Sequence, residues 1–288
     1  MTFSVRACSP LLFLALLPAA ACDDGRTQDP SGLGGASGGT TGSGGETAAT
    51  GGTTASGGTT GASCPEGAFV SLTYDDALPT HIANASPALD SHGFKGTFFL
   101  TSPAQSSAPA WRSIQGAGHE LAAHTMKHPC PASNTWVPEG DANEDYDAAR
   151  MGTELDDNIA MLESLGQTAP LTFAYPCGVS WMGAEHTSYV PLLEERFTAA
   201  RGVVGSVITT LTDPFNVPAY FLTGTGAQLT AVVDNAISQN GWVVFGFHGV
   251  GGDHSSVALD AHEELLAHIE ANSVPVLTFG EAIACKTK

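Results

Sequence analysis

Basic residues are scarce in this 288-residue chain: 10 Lys+Arg stand against 29 Asp+Glu, for a formal net charge of −19. Nucleic-acid binding needs clustered Lys and Arg to neutralise phosphates, so charge argues against that class. A polyanionic polymer is disfavoured on the same ground, and a neutral substrate is easier to reconcile with the charge. Long apolar runs are also missing. The run "LLFLALLPAA" is too short to be a comfortable membrane span. No C-x-x-C pair occurs, which argues against a cysteine-rich zinc module. Residues 25–63 lack aromatic residues and hold one large aliphatic, Leu33. Such a stretch buries too little apolar surface to offset its chain entropy.

What is present divides the chain in three. Residues 1–22 combine a basic start (Arg6), the apolar run and small residues before Cys22, the pattern of a secretory signal. "AAAC" before "DDG" resembles a bacterial lipoprotein signal with Cys22 as the lipidated residue, although Ala19 stands where that signal usually has Leu. Residues 23–63 read as a disordered Gly/Ser/Thr-rich tether. Residues 64–288 are enough for one sizeable domain. An exported, monomeric protein is expected, held to a membrane through a lipid anchor or present at the cell surface or outside the cell. Six cysteines occur; Cys8 leaves with the signal and Cys22 is the anchor. The remaining Cys64, Cys130, Cys177 and Cys285 suggest two disulfides, for which three pairings exist. Cys64–Cys285, joining the two ends of the domain, with Cys130–Cys177 is the favoured one.

Short apolar, β-branched or aromatic runs alternate with helix-like stretches. Residues 68–76, 94–102, 119–125, 170–176, 200–207, 241–250 and 274–282 read as strands. Residues 79–93, 146–166, 189–199, 226–241 and 259–273 read as helices. In the second of these, Met151, Leu155, Ile159 and Leu162 fall on one face and Gly166 supplies the stop. Alternation of this kind predicts an α/β protein with a mainly parallel sheet of about seven strands.

In such folds functional residues gather at the C-terminal ends of strands. Asp75-Asp76, His124 with His128, "YPCG" and His248 all fall there. Adjacent carboxylates in an extended segment point opposite ways, so one can bind a cation while the other moves protons. Two histidines four apart can meet one ion across a helical turn. Two His and a carboxylate form a catalytic zinc set with a position left for water, and Asp76, His124 and His128 supply it. His248 could face that position as a proton donor.

These segments carry a family resemblance. "TYDDA" (73–77) looks like the T-F-D-D-G motif of the polysaccharide deacetylases, the NodB-homology domain of carbohydrate esterase family four. "GHELAAHTMKHP" (118–129), "FAYPCG" (173–178) and "FHG" (247–249) resemble its later motifs, in order. The resemblance implies a distorted (β/α) barrel and a Zn2+ cofactor, or another divalent transition metal such as Co2+ or Ni2+. It makes Asp75 the catalytic base, His248 the general acid, and Asp76, His124 and His128 the metal ligands. The Cys177 backbone N–H would be an oxyanion donor, with Tyr175 and Pro176 beside the substrate. Two departures stand out: Ala174 and Ala219 occupy positions where arginine is common. Arg201, at a strand end, is the candidate to orient Asp75 instead.

The implied activity is removal of acetyl groups from an N-acetylglucosamine-containing polysaccharide or oligosaccharide: peptidoglycan, chitin-type chains or exopolysaccharide. Alternatives are an O-acetyl esterase acting on xylan-type polymers, a non-catalytic carbohydrate-binding lipoprotein, and a small-amide hydrolase. Trp181 is the preferred sugar-stacking candidate among four tryptophans. Asp253 and His254 are placed near the cleft. His119 is expected to tie a strand to its neighbour, and His81, His92, His186, His262 and His268 to lie on surface helices or loops.

Overall fold

The computed structural model describes residues 64–287. These all belong to one compact unit, Thr60–Lys288. The predicted signal, Cys22 and the tether lie outside the described residues.

The strands are β1 (Phe69–Asp75), β2 (Thr97–Leu100), β3 (Glu120–Ala123), β4 (Thr172–Ala174), β5 (Trp181–Met182), β6 (Thr187–Ser188), β7 (Ala199–Arg201), β8 (Tyr220–Phe221) and β9 (Trp242–Phe247). Seven of them pair in parallel in the order β7-β4-β3-β2-β1-β9-β8, while β5 and β6 form a separate hairpin. The result is a curled half-barrel sheet of seven parallel strands with helices, in line with the distorted (β/α) barrel that the resemblance implies. Residues 202–219 run between its two edges. They bridge Val217 to Arg201 on one side and Ile208 to Trp242 on the other.

The central strands are buried along their whole length because both faces are covered. Helices α1 (Ser86–Ser91), α2 (Ala108–Gly116), α3 (Ala148–Ser164), α4 (Val190–Glu194), α5 (Gly226–Gln239), α6 (Leu259–Ala271) and α7 (Phe279–Lys286) supply the cover. In α3 the Asp147 side chain caps the first turn by accepting from Arg150 N–H. Its buried stripe includes Met151, Leu155 and Leu162 as expected. One face of the sheet packs Val70, Leu72, Phe98, Leu121 and Phe245 against these helices. The other buries Phe69, Phe99, Trp242, Val244 and Phe279.

Several elements differ from expectation: α2 and the β5–β6 hairpin have no counterpart in the sequence reading, and the last strand is displaced. Residues 274–282 do not form a strand. Val276 makes a single bridge to Val70, and the chain then turns into α7. A capping box decides this: Thr278 Oγ1 accepts from Glu281 N–H and the Glu281 carboxylate accepts from Thr278 N–H. The seventh strand is instead β8, which follows Ala219. Both disulfides have the favoured pairing, Cys64–Cys285 and Cys130–Cys177. His81 and His262 are buried rather than on the surface. The His81 Nε2–H donates to the carbonyl of His248, and His262 Nε2 pairs with the Tyr74 hydroxyl. His119 does tie a strand to its neighbour, with Nδ1 accepting from Gly96 N–H.

Candidate metal and catalytic site

β1 delivers Asp75 in extended conformation, and the backbone then leaves the strand. Asp76 (φ 80°) and Ala77 (φ 58°) are both left-handed, a conformation that strains a residue bearing a Cβ. This turn overrides the strand alternation that predicts opposed carboxylates. Both side chains enter the same cleft: Asp75 Oδ2 lies 4.0 Å, and Asp76 Oδ1 3.4 Å, from His124 Nε2. Asp76 N–H donates to the Phe99 carbonyl and the Thr101 hydroxyl to the Asp76 carbonyl, which fixes the turn.

His124 follows β3. Its Nδ1 is 2.8 Å from the carbonyl oxygen of Ala174, which only accepts, so Nδ1 carries the proton. The Nε2 lone pair therefore faces the carboxylates. His128 is left-handed (φ 56°), and its Nε2 also lies 3.4 Å from Asp76 Oδ1. Asp76 Oδ1 itself is buried without a hydrogen-bond partner. A carboxylate oxygen buried between two imidazole nitrogens is a donor set that suits a cation. Donors about 3.4 Å apart are the spacing a tetrahedral ion with bonds of about 2.1 Å requires. These three residues therefore fit a divalent metal of the zinc type.

The clustered carboxylates and imidazoles shift one another. Burial favours neutral His124, yet its close contact with Asp76 and the two nearby carboxylates raise it above the ordinary imidazole value. Burial also works against ionised Asp76, but the His124 and His254 contacts hold it well below the usual carboxylate range. His128 is lowered to about 4, first by burial and then by His124, so it is neutral at neutral pH as a metal ligand must be.

The local fold explains the precision. Glu154 and Asn158, one turn apart on α3, grip the segment after β3. Asn158 Oδ1 accepts from His124 N–H, and its amide donates to the carbonyls of Leu100 and Thr125. Glu154 Oε2 accepts from the N–H groups of Met126 and Lys127. The Cys130–Cys177 disulfide then ties this loop to the one after β4.

Asp75 is 3% exposed, and Arg201 Nη2 sits 2.7 and 2.5 Å from its two oxygens. Arg201 is fully buried, with its guanidinium between the rings of Phe99 and Phe221. It comes from β7, at the position paired with Ala174 of β4. The arginine missing from Ala174 is thus supplied one strand over. Arg201 is the residue suspected from sequence.

His248 leaves β9 with Nε2 3.8 Å from Asp76 Oδ2. Burial pushes it below its ordinary value, which makes its protonated form the stronger acid. A cleft of about 860 Å3 is lined by Asp75, Asp76, His124, His128, Tyr175, Cys177 and His248, among others. Of the predicted substrate contacts, Tyr175 lines it and donates its hydroxyl to the Phe215 carbonyl. Pro176 is buried and outside the lining; Trp181 is half-buried and outside it too. Trp181 stacks on His186 at 3.7 Å instead, on the β5–β6 hairpin. Trp136 takes the place expected of Trp181: it is 60% exposed, lines the cleft, and lies 6.1 Å from the His128 ring. Its polar, Gly- and Pro-flanked surroundings gave no strand or helix signal to place it. Trp111 and Trp242 are core residues.

Residues 62–185 match the family model described as polysaccharide deacetylase. A curated gellan lyase from a Bacillus species is 30% identical over 139 residues, 48% of this chain; the chain spans only 5% of that relative's length. Among solved structures, the catalytic domain of peptidoglycan N-acetylglucosamine deacetylase from Eubacterium rectale is similar. Its TM-score is 0.53 at 16% identity, covering 75% of this chain and 90% of that one. A family 4 acetyl xylan esterase from Clostridium thermocellum, in complex with a cobalt ion, gives 0.50 at 19%, covering 76% and 92%. At these identities the structural likeness speaks to fold alone.

Proposed function

We propose that this chain, matched over residues 62–185 by the polysaccharide deacetylase model, is a metal-dependent deacetylase of N-acetylglucosamine-containing glycans. The observation that carries the reading is the unpartnered Asp76 Oδ1 at the point where His124 and His128 converge, beside an unligated Asp75. A divalent cation held by Asp76, His124 and His128 would acidify water and polarise the acetyl carbonyl. Asp75, fixed by Arg201, accepts the proton of the attacking water. The Cys177 backbone N–H would donate to the oxyanion that develops. His248 protonates the departing amine, and acetate and a free amino sugar remain. Trp136, at the rim beside His128, offers an aromatic face to a sugar ring. The excess of carboxylates supports a neutral glycan over a polyanion.

Export with lipidation at Cys22 belongs to the same reading. Two disulfides suit an oxidising compartment, and a tethered enzyme reaches a wall polymer.

The test is acetate release from acetylated chito-oligomers, with and without a chelator. Release that stops with chelator, returns with Zn2+ and is absent in Asp75→Asn is expected. Release from acetylated xylan alone would transfer the activity to O-acetyl esters. No release from either polymer by metal-loaded protein would leave a carbohydrate-binding role.

A further inference from the structure

Asp76 has two oxygens, and the site described above uses one. Oδ2 faces the other way, 2.9 Å from His254 Nε2 and 3.8 Å from His248 Nε2. We propose that Asp76 Oδ2, His248 and His254 form a second divalent-cation site, and that filling it inhibits the enzyme. The site stands on the geometry alone; its inhibitory effect rests on the deacetylase reading above.

The three donor atoms lie within 4.8 Å of one another. The two measured separations bracket the spacing of about 3.4 Å that a tetrahedral ion sets between its donors. A carboxylate shared in this way would hold two ions about 3.5–4 Å apart, the separation found in two-metal sites. Two imidazoles and a carboxylate oxygen are also the donor types of the first site.

His254 does not reach Asp76 by chance. The loop after β9 folds tightly back on itself. Gly249 N–H donates to the His254 carbonyl, Val257 N–H to the Gly249 carbonyl, and Gly252 N–H to the Ser256 hydroxyl. A Cβ at Gly249 would meet the Gly252 carbonyl oxygen at 1.8 Å, so this fold requires glycine there. The Asp253 carboxylate accepts from Thr80 N–H and pins the loop to the segment that follows β1. His254 is thereby held over Asp76, with its ring 5.2 Å from that of His248 and half its side chain open to solvent.

The second site binds more weakly than the first. Arg201 and the first ion already offset both carboxylates, and a second cation meets their repulsion. Its ligands must present neutral Nε2 atoms, so His254 exchanges its hydrogen bond to Oδ2 for a bond to the ion. His248 then has no Nε2 lone pair with which to carry a proton to the leaving group.

Full-length protein stripped of metal is dialysed against graded Zn2+ and the bound zinc counted, alongside acetate release. His254→Gln is the companion variant; it keeps a donor toward Oδ2 but is a poor zinc ligand. Two zinc ions in the wild type and one in the variant are expected. Excess zinc should slow the wild type roughly a hundredfold or more, the scale of a lost general acid, and leave the variant far less affected. One ion in the wild type overturns the inference and leaves the first site standing. Two ions in both proteins overturn it by placing the second ion elsewhere. No bound zinc in either would sink the metal reading of the first site as well.

Discussion

Asp75 and Arg201 form a buried ion pair whose members come from opposite halves of the chain. Removing one partner of such a pair leaves an uncompensated charge, at a cost of about 3–5 kcal/mol. Arg201→Met is therefore expected to lower stability by that amount in urea unfolding and to reduce kcat with little change in KM. Arg201→Lys should restore only part of either, because an ammonium has neither the planar face that lies against Phe99 and Phe221 nor the second nitrogen that donates to the Gly202 carbonyl. The motif residues Asp75, Asp76, His124, His128 and His248 are legible in sequence because each follows an apolar run. Arg201 was visible only as a candidate, since its job depends on β7 lying beside β4, and strand order is not written locally. The buried histidines set a second expectation at this scale. Burial lowers both His81 and His262 to about 4, against about 6.5 in the unfolded chain. Between those values the unfolded state binds more protons, so stability is full above pH 6.5 and falls as pH drops toward 4. The slope is up to about 1.4 kcal/mol per pH unit for each histidine. Denaturant midpoints measured from pH 7 to 4 check this, and His262→Gln should make the slope shallower by that one histidine's share.

At the scale of elements, α3 is both a core helix and the clamp on the ligand loop. Asn158→Ala leaves His124 N–H and two carbonyls without their partner in a buried place. It should weaken zinc affinity about 10- to 100-fold, read by competition with a chromophoric chelator. Replacing Cys130 and Cys177 together with serine frees the other side of the same loop. In the chain-entropy model, closure over a separation of 47 residues is worth about 4 kcal/mol, so the melting temperature should fall by several degrees or more. The 3.6-residue periodicity makes α3 itself plain in sequence. The clamp is hidden there, because Glu154 and Asn158 look like ordinary polar positions until the partner loop is in place. The misreading of residues 274–282 has a different origin. Apolar "VPVL" outweighed the T-x-x-E signature of "TFGE", the signal that starts α7.

Over the whole molecule, charge decides which polymers approach. A net charge of −19 repels anionic chains at low ionic strength, and salt screens that repulsion within about 10 Å at 0.1 M. Acetylated neutral oligomers should therefore give a higher kcat/KM than acetylated uronate-containing ones. The gap should narrow as salt rises, which initial rates across a salt series will read. The α/β class and the strand count were open to sequence analysis, because parallel strands covered on both faces read as apolar runs. The edges were not, since β8 is two residues long and carries no period of its own.

The Cys64–Cys285 bond gives the domain a further property. It clasps the start of the described chain to α7, so the polypeptide between them is a covalent loop. Tension applied from residue 63 is shared with α7 at the clasp instead of peeling β1, the strand that carries Asp75, from the sheet edge-first. A protease cut anywhere inside the loop leaves one molecule, and two fragments separate only after reduction.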